Sequence, residues 1–283
     1  MVKQMKMSIR ENYAEGRFYG STASAITRVF DDAVAAERPS ICYSLKDKVI
    51  WGGVVPHAGH VYCAREAVHF FEIVKASGVL FDTVVLINPN HTGYGDAVSI
   101  DSHSHWKTPL GVVEVDMELA NLMNVPISDA AQRLEHSAEV VLPFIQHFLG
   151  DTIRLLPINM RDQSYRSATN LATKLRLAVT SLQRKVLVIA SSDFNHFKRP
   201  QVGYELDSYA LEALLKFDLQ EFERRVKDKK VSICGYGAIM ALLQYVMLVD
   251  EQPKVDVLRR GHSGEVFRSD EVVDYVSLLV YSE

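Results

Sequence analysis

His57, His91 and His196 each stand just beyond a short apolar run. Val54-Val55 leads into Pro56-His57-Ala58-Gly59, Leu86-Ile87 into Asn88-Pro89-Asn90-His91, and Ile189-Ala190 into Ser191-Ser192-Asp193-Phe194-Asn195-His196. Continuous apolar runs of this length read as strands buried on both faces of a parallel sheet. In an open sheet of that kind the carboxyl ends of the strands share one edge, and ligand sites form there at a switch in strand order. The three histidines and Asp193 are therefore expected to meet. One histidine after a strand is ordinarily a loop or capping residue, and Asn90, Asn195 and Gly59 are ordinary turn residues. The repetition of the pattern carries the argument.

Two imidazoles with one anionic group leave an open coordination position for water, substrate or dioxygen. Sequence leaves the third ligand open among Cys234, Asp193 and Glu139. Cys234 opens a very apolar helix, where the dipole and the free N–H groups would favour a thiolate; a cysteine entering such a helix is otherwise a small buried residue. Glu135-His136-Ser137-Ala138-Glu139 is a second polar cluster, equally readable as a helix cap with acidic residues at its amino end. His60, His69, His103, His105, His147 and His262 show no convergent partners and read as surface or core residues. No phosphate-loop, dinucleotide, His-Glu-x-x-His or Gly-x-Ser-x-Gly motif is present, so nucleotide binding is disfavoured.

Strand and helix patterns alternate to position these residues. Lys48 to Val55, Thr83 to Ile87, Thr152 to Ile158 and Lys185 to Ala190 read as strands, and helices are expected over Val61 to Ser77 and from about Ser164 to Leu182. The stretch from Ala97 to Val115 reads as short strands and turns outside the main sheet, leading to a helix from Asp116. Ser137 to Phe148 reads as a helix that Pro143 either kinks or starts. Helices over Val202 to Phe217, Leu219 to Lys227 and Cys234 to Val249, then strands Lys254 to Leu258 and Asp274 to Tyr281, close the chain. The expected architecture is α/β: a single three-layer domain over residues 1–283, its mostly parallel central sheet flanked by helices.

The 283 residues carry 31 Lys and Arg against 35 Asp and Glu, a formal net charge of -4. That balance gives no electrostatic footprint for nucleic acid or an anionic membrane. Met1 to Tyr13 lack the apolar core of a leader, and no run is long enough to span a bilayer. Cys42, Cys63 and Cys234 form no Cys-x-x-Cys pair, which fits a reducing compartment, and the expected location is cytoplasmic.

The chain resembles the Memo family, whose prokaryotic members are also called AmmeMemoRadiSam system protein B. The resemblance rests on AEGRFY from Ala14, PHAGHVYC from Pro56 to Cys63, Asn88 to His91, TPLG from Thr108, EHSAEVVLPF from Glu135, SSDFNH from Ser191 and ICGYGAI from Ile233. It implies a fold like that of class III, LigB-type extradiol dioxygenases and a metal triad of His57, His91 and Cys234. It also implies Asp193 and His196 beside that triad, with His196 as acid/base, and His136 and Glu139 near the pocket wall. Cys234 would stand where the dioxygenases place a carboxylate, which argues against ring cleavage. Iron or copper, with zinc also compatible, is the implied cofactor. Two readings follow: metal-dependent redox chemistry on an unknown substrate, or a vestigial pocket that binds a peptide or phosphopeptide. The family name further implies a radical SAM partner.

Overall fold

The structure is a computed structural model that describes residues 7–150 and 152–283. The first six residues, read above as part of a segment without an apolar leader, lie outside it. The chain opens with β1 (Ile9–Arg10) and helix α1 (Ala23–Glu37), then β2 (Val49–Val55), α2 (His60–Ala76) and β3 (Thr83–Pro89). β4 (Val98–Ile100), expected outside the main sheet, instead joins its edge by pairing with the strand Arg154–Met160, and an excursion then runs through β5 (His105–Thr108), β6 (Gly111–Glu114), α3 (Met117–Leu122) and α4 (Leu142–Leu149). The sheet resumes with β7 (Arg154–Met160), α5 (Tyr165–Leu182), β8 (Val186–Ser191) and the short β9 (His196–Lys198). Helices α6 (Pro200–Leu214), α7 (Leu219–Asp228) and α8 (Tyr236–Val249) precede the closing strands β10 (Lys254–His262) and β11 (Val272–Ser282).

The main sheet runs β10-β11-β2-β8-β3-β7-β4, with β9 paired to β11. Its centre, β2-β8-β3-β7, is parallel, and the strands outside it pair antiparallel. Successive strand residues face opposite sides. Val54, Val85, Ile87, Val188 and Ala190 join a core completed by α5 and α8, and Val55, Val84, Leu86, Leu187 and Ile189 join a second completed by α1, α2 and α4. Helices on both faces of one sheet are the three-layer α/β arrangement expected from the alternation of patterns. A small sheet, β1-β5-β6, forms the excursion.

The strand order explains the site. The chain goes from β2 through α2 to β3, and only later returns from β7 through α5 to insert β8 between them. The ends of β2, β8 and β3 are thereby adjacent. Register makes them level: Val55 pairs with Ser191 and Ile87 with Ala190, so His57 and Asp193 each lie two residues past a matched pair. Close packing along β2 requires Gly52 and Gly53. A Cβ on Gly52 would come within 1.9 Å of the Val188 carbonyl oxygen, and one on Gly53 within 2.3 Å of that of Leu278.

Several expectations change in detail. Helix α1 was not read from the sequence, although Thr22 caps it through the Ala25 N–H and Ile26, Phe30, Ala33 and Val34 form its buried stripe. Of the two roles open to Pro143, the structure has the start: α4 begins at Leu142 with the proline in its first turn. The closing strands are longer than expected because they pair with each other through a register shift near Val257, which alternation alone does not reveal.

Candidate metal centre

Three ring nitrogens, one each from His57, His91 and His136, lie within 4.8 Å of one another. His57 follows β2 and His91 follows β3, while His136 comes from the loop before α4. The His57 ring is edge-on to both others, at 5.3 Å from His91 and 5.5 Å from His136 between centroids.

Each ring is held from its outer side. The Ser191 hydroxyl donates its single hydrogen to the Ser137 carbonyl oxygen at 2.7 Å, so it must accept from His57 Nδ1, also at 2.7 Å. That contact places the His57 proton on Nδ1 and leaves Nε2 as the electron-pair donor. His91 Nδ1 lies 2.9 Å from Glu135 Oε1, and His136 Nδ1 lies 3.2 Å from the same oxygen. Burial and the neighbouring His136 and His91 lower the His57 pKa well below the ordinary histidine value, so that ring is neutral. Burial pulls His91 the same way, but the Glu135 carboxylate outweighs it and the net shift is upward.

Glu135 is the organising residue that sequence reading passed over. Its side chain is fully buried and accepts from the backbone N–H of His91, His136 and Ser137, the Ser137 hydroxyl and His91 Nδ1. Burial pushes its carboxyl up, yet the hydrogen bonds from His136 and His91 prevail and hold it well below the usual range. Its adjacency to His136 was the available signal, and a helix-cap reading of the segment hid it.

Cys234 lies one residue before the Gly235 cap of α8, not within the helix. Its Sγ is 3.2 Å from His57 Nε2 and accepts the Asp193 N–H at 3.2 Å. The thiol does not gain the acidity expected from a helix start: burial and the nearby Asp193 carboxyl push its pKa up. His136, expected at the pocket wall, shares the mutually close trio with His57 and His91, and Cys234 meets that trio through His57 Nε2.

Asp193 and His196 reach the same cavity but are not partners in the way a relay requires. Asp193 Oδ1 accepts the His57 backbone N–H at 2.8 Å, and His196 is oriented by Ser232, whose carbonyl oxygen accepts from Nδ1 at 2.8 Å. Both line a cavity of about 470 Å³ with His136. Glu139 is the clearest departure. It is fully buried away from this cavity, bonded to Arg10, the Tyr19 hydroxyl and the N–H groups of Tyr13 and Ala14. It therefore pins the N-terminal segment and is neither a pocket-wall residue nor a ligand. The reason is position: it lies four positions after Glu135 in a loop of turns, and Arg10 enters from the small sheet.

The donor set fits a metal ion. His57 and His91 each have Nδ1 engaged by an acceptor, the arrangement that orients metal-ligating imidazoles, and a thiol stands at hydrogen-bond distance from one of the free nitrogens.

The Memo-like protein family matches residues 10–279. The chain is 37% identical over 240 residues to a MEMO1 family protein of Methanosarcina barkeri, covering 83% of this chain and 88% of the relative. A MEMO1 family protein of Methanosarcina acetivorans is 32% identical over 282 residues, 97% of this chain and all (100%) of the relative. One from Sulfolobus acidocaldarius is 37% identical over 231 residues, 80% of each chain. An uncharacterized protein of Escherichia coli K12 with a known crystal structure aligns at a TM-score of 0.47 and 11% identity over 74% of this chain and 91% of its own, too loosely to bear on the fold. Coverage of nearly the whole chain at this identity establishes that the protein belongs to the Memo-like family.

Proposed function

We propose that the chain is a metal-dependent redox protein acting on a small molecule, with one iron or copper ion held by His57 and His91 and completed by His136 or Cys234. Zinc suits the same donors. The observation that carries the reading is the trio of ring nitrogens within 4.8 Å, backed by Glu135 and Ser191. When bound, the ion would supply electron transfer and an open position for substrate or dioxygen.

The chain's own groups do the rest. Glu135 and Ser191 fix the His91 and His57 rings, so little reorganisation accompanies ion uptake. His196 donates from Nδ1 to Ser232 and so keeps Nε2 as the proton acceptor at the cavity, while Asp193 holds the backbone of His57. Free Cys42, Cys63 and Cys234 suit a reducing cytoplasm. Among the described residues no helix is long and apolar enough to cross a membrane. A radical SAM enzyme is the partner class we propose from the family relationship.

Anaerobic titration with iron(II), copper(I) and zinc tests the reading. About one equivalent of metal should bind wild type and be lost in His57→Ala and His91→Ala, with the far-UV circular dichroism unchanged. His136→Ala and Cys234→Ser then show which residue completes the set. Undiminished uptake in both His57→Ala and His91→Ala would overturn the proposal.

A further inference from the structure

The cavity before the histidine trio has a charge and shape that constrain what can enter it. Its apolar surface comes from Phe18, Tyr62, Phe267 and Tyr275. Phe18 stacks on His136 at 4.5 Å between centroids, so this aromatic wall begins at the candidate metal centre itself. Tyr62 and Phe267 form a tilted pair at 5.6 Å, and Phe267 is 63% exposed, an aromatic side chain largely uncovered by the protein. Covering such a ring is favourable by about 25 cal/mol per Å² of apolar surface removed from water.

The cavity has no fixed cation among its described lining residues, its basic groups being the imidazoles of His136 and His196. Asp193 and Glu271 supply carboxyl groups, and no Lys or Arg is among the described lining residues. Arg268 belongs to the same loop as Phe267 and Glu271 but does not line the space. Asp193 is 5% exposed, its Oδ1 accepts from His57, and among the described residues no protein donor reaches its Oδ2. The amino end of α2 also borders the cavity, at Ala58 and Gly59. Its first N–H, that of His60, is already taken at 2.8 Å by the Phe18 carbonyl oxygen, so this donor is not offered to an anion.

We infer that the site takes an aromatic amine: a flat ring seated against Phe18, Tyr62 and Phe267, with a protonated nitrogen facing Asp193 and Glu271. A cation beside these aromatic faces and the exposed Glu271 carboxylate gains from both, and the Asp193 oxygens can accept from its N–H groups, whereas a carboxylate or phosphate of the same size meets Glu271 and finds no fixed cation among the described lining residues. The inference takes its site from the proposed function and names the substrate class, but the binding it describes needs no metal.

The test is an NMR titration of the metal-free full-length chain with 2-phenylethylammonium and with 3-phenylpropionate, which match in ring and length and differ in charge. The amine should bind at least tenfold more tightly. Glu271→Gln, a change at an exposed side chain, should reduce that preference severalfold, and Phe267→Ala should weaken the amine itself. Equal binding, preference for the carboxylate, or no amine binding at millimolar concentration would each overturn the inference. Because the titration is metal-free, amine binding without metal uptake would remove only the redox reading, and metal uptake without amine preference would remove only this one.

Discussion

Glu135 and Glu139 sit four residues apart, both with no exposed side-chain surface, and they stabilise different things. Glu139 meets a full guanidinium: Arg10 Nη1 is 2.6 Å away, and the rest of that arginine binds the Gln132 and Glu135 carbonyls. Among the described residues Glu135 meets no arginine or lysine. Its charge is carried by N–H groups, a hydroxyl and the rings of His91 and His136, whose other nitrogens are left for a ligand. A buried anion closed by a fixed cation is a structural joint. One closed by histidines stays coupled to whatever those histidines bind.

The largest test of this contrast is Glu139→Gln. Removing one partner of a buried pair leaves Arg10 uncompensated, so urea unfolding should show a loss of about 3 to 5 kcal/mol, with metal stoichiometry intact in the folded fraction. Glu135→Gln should do the reverse, lowering metal affinity about 10- to 100-fold in competition with a chelator while costing less stability. Equal stability losses and equal affinities in the two variants would erase the distinction.

A third buried carboxyl group sharpens it. Asp207 and Asp274 face each other, with Oδ2 of each lacking a hydrogen-bond donor among the described residues. Burial and Asp274 push the Asp207 pKa up to about 8, against the lowering effect of Arg260 and Asn195. A carboxyl with a raised folded pKa stabilises fully below its unfolded value, near 4, and loses that contribution as pH rises towards 8. Stability should therefore fall across that window through this pair, and Asp207→Asn should flatten the slope in thermal melts taken at stepped pH. Glu135 has the opposite sign, its contribution being present above the ordinary glutamate value and lost on acidification. The smallest effect belongs to Tyr19→Phe, which removes one 2.7 Å hydrogen bond to Glu139 and should cost about 1.5 kcal/mol by urea denaturation with metal binding unchanged.

Much of the fold was legible because its signals are local. The apolar runs at Val49–Val55, Thr83–Pro89 and Val186–Ser191 marked parallel strands, and their polar sequels marked one edge. Helix α1 escaped because its buried stripe is set among alanines and polar residues, and its cap is a lone threonine. His57, His91, Cys234, Asp193 and His196 could be named as candidates from strand ends and family motifs. Their pairings could not: Asp193 serves His57, Ser232 orients His196, and Cys234 accepts the Asp193 N–H and faces His57 Nε2.

Periodicity and strand-end chemistry thus place the histidines on one edge, since side-chain period and turn preference act over a few residues. The insertion of β8 between β2 and β3, the arrival of His136 beside His57, and the division of labour between Glu135 and Glu139 come from contacts between segments far apart in the chain. Glu135 and Glu139 have the same side chain, and nothing within their own segment tells which meets Arg10 and which meets imidazole. Desolvation makes each buried charge find a partner, and the packed chain decides which partner is within reach.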